Sequence, residues 1–251
     1  MSLQDRVAIV TGASSGLGAH FARMLAAQGA RVVLAARRVE ALETQKAEIE
    51  AAGGRADTIG LDVCDESSVA SGFEKLDAAG LHVDIVVNNA GISEAVPALS
   101  MSVQNWDRVL DTNLKGVFLV AQAAARRMQA DGRGGSIVNV ASILGHRVAG
   151  NLASYAASKA GVVRLTEALA LEWARFGIRV NSLCPGYIET DLNREFFASD
   201  AGKALIRRIP QRRLGAPSDL DGALLLLASD AGRYMTGSSI TVDGGHLVSS
   251  L

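Results

Sequence analysis

Disulfide and metal chemistry have little to build on in this chain of 251 residues, which has two cysteines and four scattered histidines. Two cysteines are too few for a disulfide framework. Neither Cys64 nor Cys184 has a metal-ligand partner nearby in the sequence, so no metal site is predicted. Cys184 ends an apolar run just before Pro185, which indicates a buried and inert thiol.

An excess of one charge and long apolar runs are also missing. The formal net charge of −1 gives no electrostatic reason to expect nucleic acid or an anionic membrane surface as a partner. No apolar stretch reaches the ~18 residues that a membrane span needs, and the N-terminus lacks the basic start and apolar run of a signal peptide. We therefore predict a cytoplasmic protein.

The chain is instead rich in hydrophobic residues, 49% of the total, in a regular alternation of short β-branched runs and longer helical segments. Seven runs predict strands, at residues 7–11, 31–35, 58–61, 83–88, 136–141, 179–183 and 239–242. Six segments predict helices, at about 17–28, 39–52, 67–79, 103–128, 154–176 and 218–228. Strands apolar on both faces are typical of a buried parallel sheet. We predict one α/β domain over residues 1–251, a Rossmann-like doubly wound parallel sheet of about seven strands with helices on both faces.

A glycine-rich turn follows the first predicted strand, and it leads directly into a helix. Its glycines allow a tight turn and let backbone N–H groups and the helix N-terminus approach a pyrophosphate. The spacing G-x-x-x-G-x-G differs from the common G-x-G-x-x-G fingerprint, and a structural turn without a ligand is the alternative. The predicted cofactor-binding residues of this turn are Gly12, Ser14, Ser15, Gly16, Leu17 and Gly18.

The end of the second predicted strand bears on the choice of cofactor. An acidic residue there would hydrogen-bond the adenosine ribose 2′-hydroxyl and repel a 2′-phosphate. Here the position is Ala36, and it is followed by Arg37 and Arg38, whose guanidinium groups suit a phosphate. NADP(H) is therefore favoured over NAD(H). The alternative is that these arginines only begin the next helix and face solvent.

The ends of the third and fourth predicted strands complete the predicted cofactor site. Asp62 and Val63 could hold the edge and the face of the adenine. Asn89, Ala90 and Gly91 would place small residues beside the cofactor. A simple strand-to-loop turn also uses Asn and Gly, so this pattern alone leaves both interpretations open.

Tyr155 and Lys159, in the run Tyr-Ala-Ala-Ser-Lys, carry the most chemical information. Four residues apart on a helix, they lie on one face about one turn apart. An ammonium beside a phenol stabilises the phenolate, so we expect the tyrosine pKa to fall from ~10 toward the range of general acid–base catalysis. Ser142, at the end of an apolar run, could hydrogen-bond a substrate oxygen. A Tyr-x-x-x-Lys pattern also occurs on solvated helix faces.

Two departures from the regular alternation have functional interpretations. The segment 186–210 lies where the carboxyl ends of the strands bind ligands, which predicts a substrate lid, with a packed helical insertion as the alternative. The helix after Tyr155 is apolar on more than one side, whereas a helix on a sheet needs one apolar stripe. We therefore predict a homo-oligomer, either a homotetramer or a dimer.

The motifs together resemble the short-chain dehydrogenase/reductase family over essentially the full length of the chain. The resemblance rests on their order and approximate spacing: Thr11–Gly18, Asn88–Gly91, Asn113, Ser142, Tyr155, Lys159, Pro185-Gly186 and the tail from Arg213-Leu214-Gly215 through Val242-Asp243-Gly244-Gly245. It implies that Tyr155 is the general acid–base and that Lys159 lowers its pKa and binds the nicotinamide ribose. Ser142 would orient the substrate oxygen, and Asn113 would hold a water that links Lys159 to solvent. The residues implied to contact the nicotinamide end are Pro185, Gly186, Ile188 and Thr190.

The activity that the resemblance implies is NADP(H)-dependent hydride transfer between nicotinamide and a ketone/secondary alcohol pair. The alternatives are an NAD(H)-linked secondary alcohol dehydrogenase and a reductase of carrier-linked 3-oxoacyl chains. Arg133 could help to dock an acidic carrier protein, but Phe176 stands where a basic residue would be expected. A non-catalytic dinucleotide-sensing protein is least favoured, because the three catalytic residues are intact. The side chains that would favour a hydrophobic small-molecule substrate are Ala95, Val96, Leu144, Leu152, Tyr187, Phe196 and Phe197.

Overall fold

The computed structural model describes residues 1–190 and 193–249. Within them, seven parallel strands form one sheet in the order β3-β2-β1-β4-β5-β6-β7. The strands are β1 (Val7–Thr11), β2 (Arg31–Ala36), β3 (Arg55–Gly60), β4 (Ile85–Asn88), β5 (Gly135–Val140), β6 (Ile178–Pro185) and β7 (Ser239–Val242). The predicted doubly wound, Rossmann-like sheet is confirmed.

The described residues form nine α-helices, which cover both faces of the sheet. They are α1 (Gly16–Ala27), α2 (Val39–Ala51), α3 (Glu66–Ala78), α4 (Val103–Leu110), α5 (Gly116–Ala130), α6 (Ala153–Trp173), α7 (Arg194–Ala198), α8 (Asp200–Ile206) and α9 (Asp221–Ala228). On one face, α1, α2 and α9 pack through a core that includes Phe21 and Leu224. On the other, α3, α5 and α6 pack around Phe73 and Val120. None of the helices described is long and apolar enough to cross a membrane.

The winding of the sheet reverses between β1 and β4, which opens a crevice at their carboxyl ends. Hydrogen bonds join the two loops there. The Thr11 hydroxyl accepts from the backbone N–H of Asn89 at 3.0 Å and of Ala90 at 3.1 Å. The Asn89 side chain donates in return to the Thr11 carbonyl at 3.0 Å. The floor of the crevice is therefore a fixed structure.

Several element boundaries differ from the sequence prediction, and two of the differences have clear local reasons. The predicted helix 103–128 is divided into α4 and α5 by a π-helical turn, Asp111–Lys115. This turn buries Asn113, whose side chain bonds to neighbouring segments, and those bonds accompany the loss of regular helical geometry. β3 begins at Arg55 rather than at residue 58, because backbone pairing with β2 extends over its polar first half.

Candidate active site

A cleft of about 840 Å³ lies at the carboxyl ends of the strands and gathers most of the predicted site residues. Ser142, Tyr155 and Lys159 line it. So do sixteen of the predicted cofactor residues: Gly12, Ser14, Ser15, Gly16, Leu17, Arg37, Arg38, Asp62, Val63, Asn89, Ala90, Gly91, Pro185, Gly186, Ile188 and Thr190. Gly18 and Asn113 do not line it. The strand order thus brings segments that are far apart in the chain into one site.

Gly18 has a packing role rather than a lining role. A Cβ at Gly18 would lie 2.3 Å from the Gly12 carbonyl oxygen and 2.6 Å from the Asn89 side-chain nitrogen. Gly12 has a φ of +67°, and a Cβ there would lie 2.9 Å from the Ala90 Cα. Both glycines let the turn lie directly against the loop after β4. The N-terminus of α1, which has no acidic residue in its first turn, then faces the cleft, and this cradle fits a pyrophosphate.

Two arginines after β2 add positive charge to the same end of the cleft. Arg38 donates from Nη2 to the hydroxyls of Ser14 and Ser15, at 3.0 Å each. Neither Arg37 nor Arg38 forms an ion pair with a residue in the described part of the chain. Ala36, the position where an acidic residue would repel a phosphate, is a small buried side chain. The arrangement fits a 2′-phosphate better than a free 2′-hydroxyl.

Tyr155 and Lys159 stand one turn apart near the start of α6. The Lys159 nitrogen is 5.7 Å from the centroid of the Tyr155 ring and donates to the Val140 carbonyl at 2.8 Å. Burial lowers the pKa of Lys159 to about 8. Burial also raises the pKa of Tyr155, and interaction with the Ser142 hydroxyl opposes this shift. The expected net fall of the tyrosine pKa is therefore not seen in this structure, because burial disfavours the phenolate more strongly than the neighbouring groups favour it.

Ser142 stands just after the carboxyl end of β5, where a hydrogen bond fixes the position of its hydroxyl oxygen. Its Oγ accepts from the Leu144 backbone N–H at 3.1 Å and so caps a short 3₁₀ turn, Ile143–Gly145. The residue is buried, but it lines the cleft beside Tyr155. Because the cap uses only an oxygen lone pair, the hydroxyl proton is left for a substrate oxygen.

Asn113 supports the site from behind. Its Oδ1 accepts from the Ile92 N–H, and its Nδ2 donates to the Ile92 carbonyl, both at 2.8 Å. Nδ2 also donates to the Ser158 hydroxyl at 3.2 Å, and that hydroxyl donates to the Tyr155 carbonyl at 2.7 Å. Both N–H groups of the amide are therefore used. The water that the resemblance implies at Asn113 would therefore not accept a hydrogen bond from this side-chain amide.

The substrate side of the cleft differs from the apolar pocket that the sequence suggested. Of the seven predicted lining residues, the structure brings only Tyr187 to the cleft. The Tyr187 ring packs on Phe197 at 5.7 Å and on His246 at 5.3 Å between centroids. Phe197 is buried behind it, whereas Phe196 is half exposed. Leu144 lines a different groove, of about 500 Å³. The prediction of an apolar substrate pocket is therefore wrong for most of its residues.

Several residues that line the cleft were missed in the sequence: Leu61, Cys64, Ile92, Ser93, Thr112 and Asn193. Most of them directly follow strand ends already identified, so a rule that extends each strand end by a few residues would have found them. Asn193 is different. Its side chain bonds to Ile188 and to Thr190, and no local pattern signals this. Residues 191–192 of the predicted lid lie outside the described residues. No group of three or more potential metal ligands occurs in the described part of the chain.

Known proteins resemble this chain over almost its whole length. A family model described as enoyl-(acyl carrier protein) reductase matches residues 12–246. A 2-dehydro-3-deoxy-D-gluconate 5-dehydrogenase from Dickeya dadantii is 41% identical over 98% of this chain and 97% of its own. A gluconate 5-dehydrogenase from Gluconobacter oxydans is 38% identical over 99% and 97%. The crystal structure of a gluconate 5-dehydrogenase from Burkholderia cenocepacia in complex with NADP and tartrate is 37% identical, with a TM-score of 0.95 over 99% and 98% of the two chains.

The fold defines a Rossmann-like protein of the doubly wound α/β class. With these matches, the chain belongs to the short-chain dehydrogenase/reductase family. It is an oxidoreductase that acts on CH–OH groups.

Proposed function

We propose that the protein transfers a hydride between NADP(H) and a secondary alcohol/ketone pair on a polar small molecule, with Tyr155 as general acid–base. The observation that carries the proposal is that Ser142, Tyr155 and Lys159 line one cleft together with the glycine turn of α1. A family member that only senses a dinucleotide would not require this arrangement.

In the proposed mechanism, Ser142 and Tyr155 bind the oxygen of the substrate. When bound, the nicotinamide supplies or accepts the hydride at the substrate carbon. In the oxidation direction the deprotonated oxygen of Tyr155 takes up the alcohol proton, and in the reduction direction the neutral Tyr155 hydroxyl gives that proton to the carbonyl oxygen. The Ser142 hydroxyl donates a hydrogen bond to the same oxygen and so stabilises the charge that develops there.

Lys159 has two tasks in this proposal. With a pKa of about 8 it is mostly protonated at neutral pH, so its positive charge favours the phenolate form of Tyr155 whenever the proton has moved. It is also the group that would bind the ribose hydroxyls next to the nicotinamide. Asn113 and Ser158 position this pair, because their hydrogen bonds connect the Ile92 backbone to the first turn of α6.

NADP(H) is the proposed cofactor because Arg37 and Arg38 follow Ala36 and lie beside the glycine turn. The solved gluconate 5-dehydrogenase from Burkholderia cenocepacia, which holds NADP, supports this choice. The rest of the predicted cofactor set would bind the remaining parts of the dinucleotide, with Asp62 and Val63 at the adenine. Ile188 and Thr190 would lie at the nicotinamide.

Exchange of the charges around Ala36 should reverse the cofactor preference. In a variant with Ala36→Asp, Arg37→Ala and Arg38→Ala, we expect kcat/KM for NADPH to fall at least about 10-fold, since each charge-assisted contact contributes about 1.5–3 kcal/mol. The kcat/KM for NADH should stay level or rise. Steady-state kinetics with both cofactors measure the ratio, and Arg175→Ala, an exposed arginine at the end of α6, is the control. An unchanged ratio would contradict the assignment of the two arginines.

The substrate is proposed to be a polyhydroxylated secondary alcohol rather than a carrier-linked acyl chain. The curated relatives named above act on gluconate and on a deoxygluconate. Arg133, the predicted docking residue for an acidic carrier, forms an ion pair with Asp84 at 3.1 Å. Phe176 packs against the core next to α6 and presents no charge. These observations favour a free small molecule.

The direct test of the proposal is a substrate panel. We expect purified protein to reduce NADP⁺ in the presence of at least one sugar acid, polyol or cyclic secondary alcohol, followed by absorbance at 340 nm. NAD⁺ with the same alcohols, and NADPH with a 3-oxoacyl thioester, are the comparison reactions. Equal turnover with the thioester, or none with any alcohol, would argue against the proposed substrate class.

Four further features stay predictions from the sequence. A lid over residues 186–210 is supported by α7, whose Phe197 packs on the Tyr187 ring. A single domain spanning residues 1–251 agrees with one continuous sheet. The homotetramer or dimer is supported by exposed apolar side chains such as Leu171 on α6. The cytoplasmic location rests on the sequence alone.

A further inference from the structure

We propose that the hydroxyl of Tyr187 hydrogen-bonds a second hydroxyl of the substrate, near the reacting carbon, so that diols and polyols are favoured over simple alcohols. This inference rests on the oxidoreductase function proposed above. It starts from a phenol hydroxyl without a partner on the wall of the cleft that holds Ser142 and Tyr155. Tyr187 is then a specificity-determining residue, because it would contact the substrate away from the atoms that react.

The backbone holds Tyr187 at a fixed place in this wall. Its carbonyl accepts from the Gly215 N–H at 2.9 Å. Neighbouring residues are held in the same way. The Gly186 N–H donates to the Val242 carbonyl at 2.9 Å, and the Glu189 N–H donates to the Gly215 carbonyl at 2.8 Å. The fold therefore sets the position of Tyr187 relative to the reacting groups.

Two buried rings fix the direction of the Tyr187 side chain. The Phe197 ring meets it edge to face at 5.7 Å between centroids, and the His246 ring packs on it at 5.3 Å. Both neighbours are buried, whereas Tyr187 itself is half-buried. A side chain held in this way loses little conformational entropy when its hydroxyl binds a ligand. A phenylalanine at this position would keep both ring contacts.

The hydroxyl of Tyr187 is unpaired and lies near Tyr155. It makes no hydrogen bond with any residue in the described part of the chain. It is not sealed in the core either, because the buried side-chain polar atoms without a partner among the described residues are Asn88 Oδ1 and His246 Nδ1. Burial raises the pKa of Tyr155, and the Tyr187 phenol adds to this rise, an effect that requires the two groups to lie close together. The free hydroxyl is therefore available where the substrate would lie.

Two other polar side chains of the cleft are already engaged. The Lys159 nitrogen donates to a backbone carbonyl at 2.8 Å. The Asn193 amide donates to the Ile188 carbonyl at 2.8 Å and accepts from the Thr190 N–H at 2.9 Å. Tyr187, in contrast, keeps its donor and its acceptor lone pairs for a ligand.

The group that suits a phenol hydroxyl is a second hydroxyl, because each can donate to and accept from the other. A substrate with a methylene group at the same place would take water away from the Tyr187 hydroxyl and give it no new partner. A site that hydrogen-bonds a substrate hydroxyl rejects the analogue that lacks it, because the polar group of the site is then left unpaired. The cleft should therefore select substrates with a hydroxyl near the reacting carbon.

The test compares cyclic alcohols that differ only in a second hydroxyl. They are cis- and trans-cyclohexane-1,2-diol, cyclohexane-1,4-diol and cyclohexanol, each with saturating NADP⁺. We expect kcat/KM of the unaltered protein for the better 1,2-diol to exceed that for cyclohexanol by about 10-fold, the factor that one net hydrogen bond contributes. The 1,4-diol controls for polarity, because its second hydroxyl is far from the reacting carbon, and it should resemble cyclohexanol.

Tyr187→Phe removes only the hydroxyl and should remove this preference, mainly by raising KM for the 1,2-diol. A fluorescence titration with NADPH checks that the cofactor site is intact, and the affinity should match that of the unaltered protein. The matched control is Tyr234→Phe, at a fully exposed tyrosine, which should keep the preference for the 1,2-diol.

The outcomes separate this inference from the proposed function. An unaltered protein with equal kcat/KM for the 1,2-diols and cyclohexanol would overturn the role of Tyr187. So would a Tyr187→Phe variant that keeps the preference or that loses activity equally on both alcohols, since equal loss assigns the residue only to the shape of the cleft. Turnover of other alcohols but of neither 1,2-diol overturns the inference alone. Turnover of no alcohol at all overturns the proposed function, and the inference with it.

Discussion

Replacement of Tyr155 by phenylalanine is expected to lower kcat/KM by about 10²–10⁴-fold, the range that a positioned general acid–base contributes. The ring keeps its place on α6, whereas the hydroxyl that exchanges the proton with the substrate oxygen is lost. Ser142 still binds that oxygen but has no path to pass on its proton. Because the glycine turn and the two arginines lie elsewhere in the cleft, NADPH binding should remain near that of the unaltered protein.

Two measurements make this prediction specific. Fluorescence titration with NADPH reports cofactor binding, and steady-state kinetics report turnover. Tyr234→Phe is the matched control, because the Tyr234 side chain is fully exposed and far from any predicted role. A Tyr155→Phe variant that keeps more than about a tenth of the activity would remove Tyr155 from the proton transfer, since even weak acid–base catalysis exceeds that factor. Loss of NADPH binding would instead indicate a structural effect on the cleft.

The fold was predictable because its signals are local and repeated. Most of the strands contain a short run of buried β-branched or other apolar residues, and the segments between them have lengths and compositions typical of helices. The glycine turn, with Gly12 and Gly18, and the pair Tyr155 and Lys159 were predictable for a similar reason. The turn depends on backbone clearance at its glycines, and the pair depends on one-turn spacing along a helix. Both properties are set by residues that are close together in the sequence. The parallel order then brings the strand ends together.

Features that depend on three-dimensional surroundings were not predictable. The π-helical turn at Asn113 follows from side-chain bonds to segments about twenty and forty-five residues away. The direction of the Tyr155 pKa shift depends on burial by the surrounding structure. Burial outweighs the effect expected from Lys159, the neighbour that is visible in the sequence.

Replacement of Lys159 by methionine should abolish activity and yet stabilise the protein at neutral pH. Burial lowers the pKa of Lys159 from the ordinary 10.5 to about 8, so the unfolded chain binds the proton more tightly than the folded one. The charged Lys159 ammonium therefore destabilises the folded state. This destabilisation is fully present below pH 8 and disappears as the pH rises through 10.5. It amounts to roughly 3 kcal/mol at pH 7. Loss of the hydrogen bond to the Val140 carbonyl offsets about 1 kcal/mol of it.

Chemical denaturation of the protein without cofactor, at pH 7 and at pH 10, measures this effect. We expect Lys159→Met to have a free energy of unfolding about 1–2 kcal/mol above that of the unaltered protein at pH 7, and this gain to vanish at pH 10. Lys75→Met, at an exposed lysine on α3, should show no such pH-dependent difference. A destabilised variant at both pH values would mean that the Lys159 ammonium gains more from its surroundings than burial costs. In that case the buried charge of Lys159 would stabilise the fold. It would then not be a loss of stability that serves catalysis.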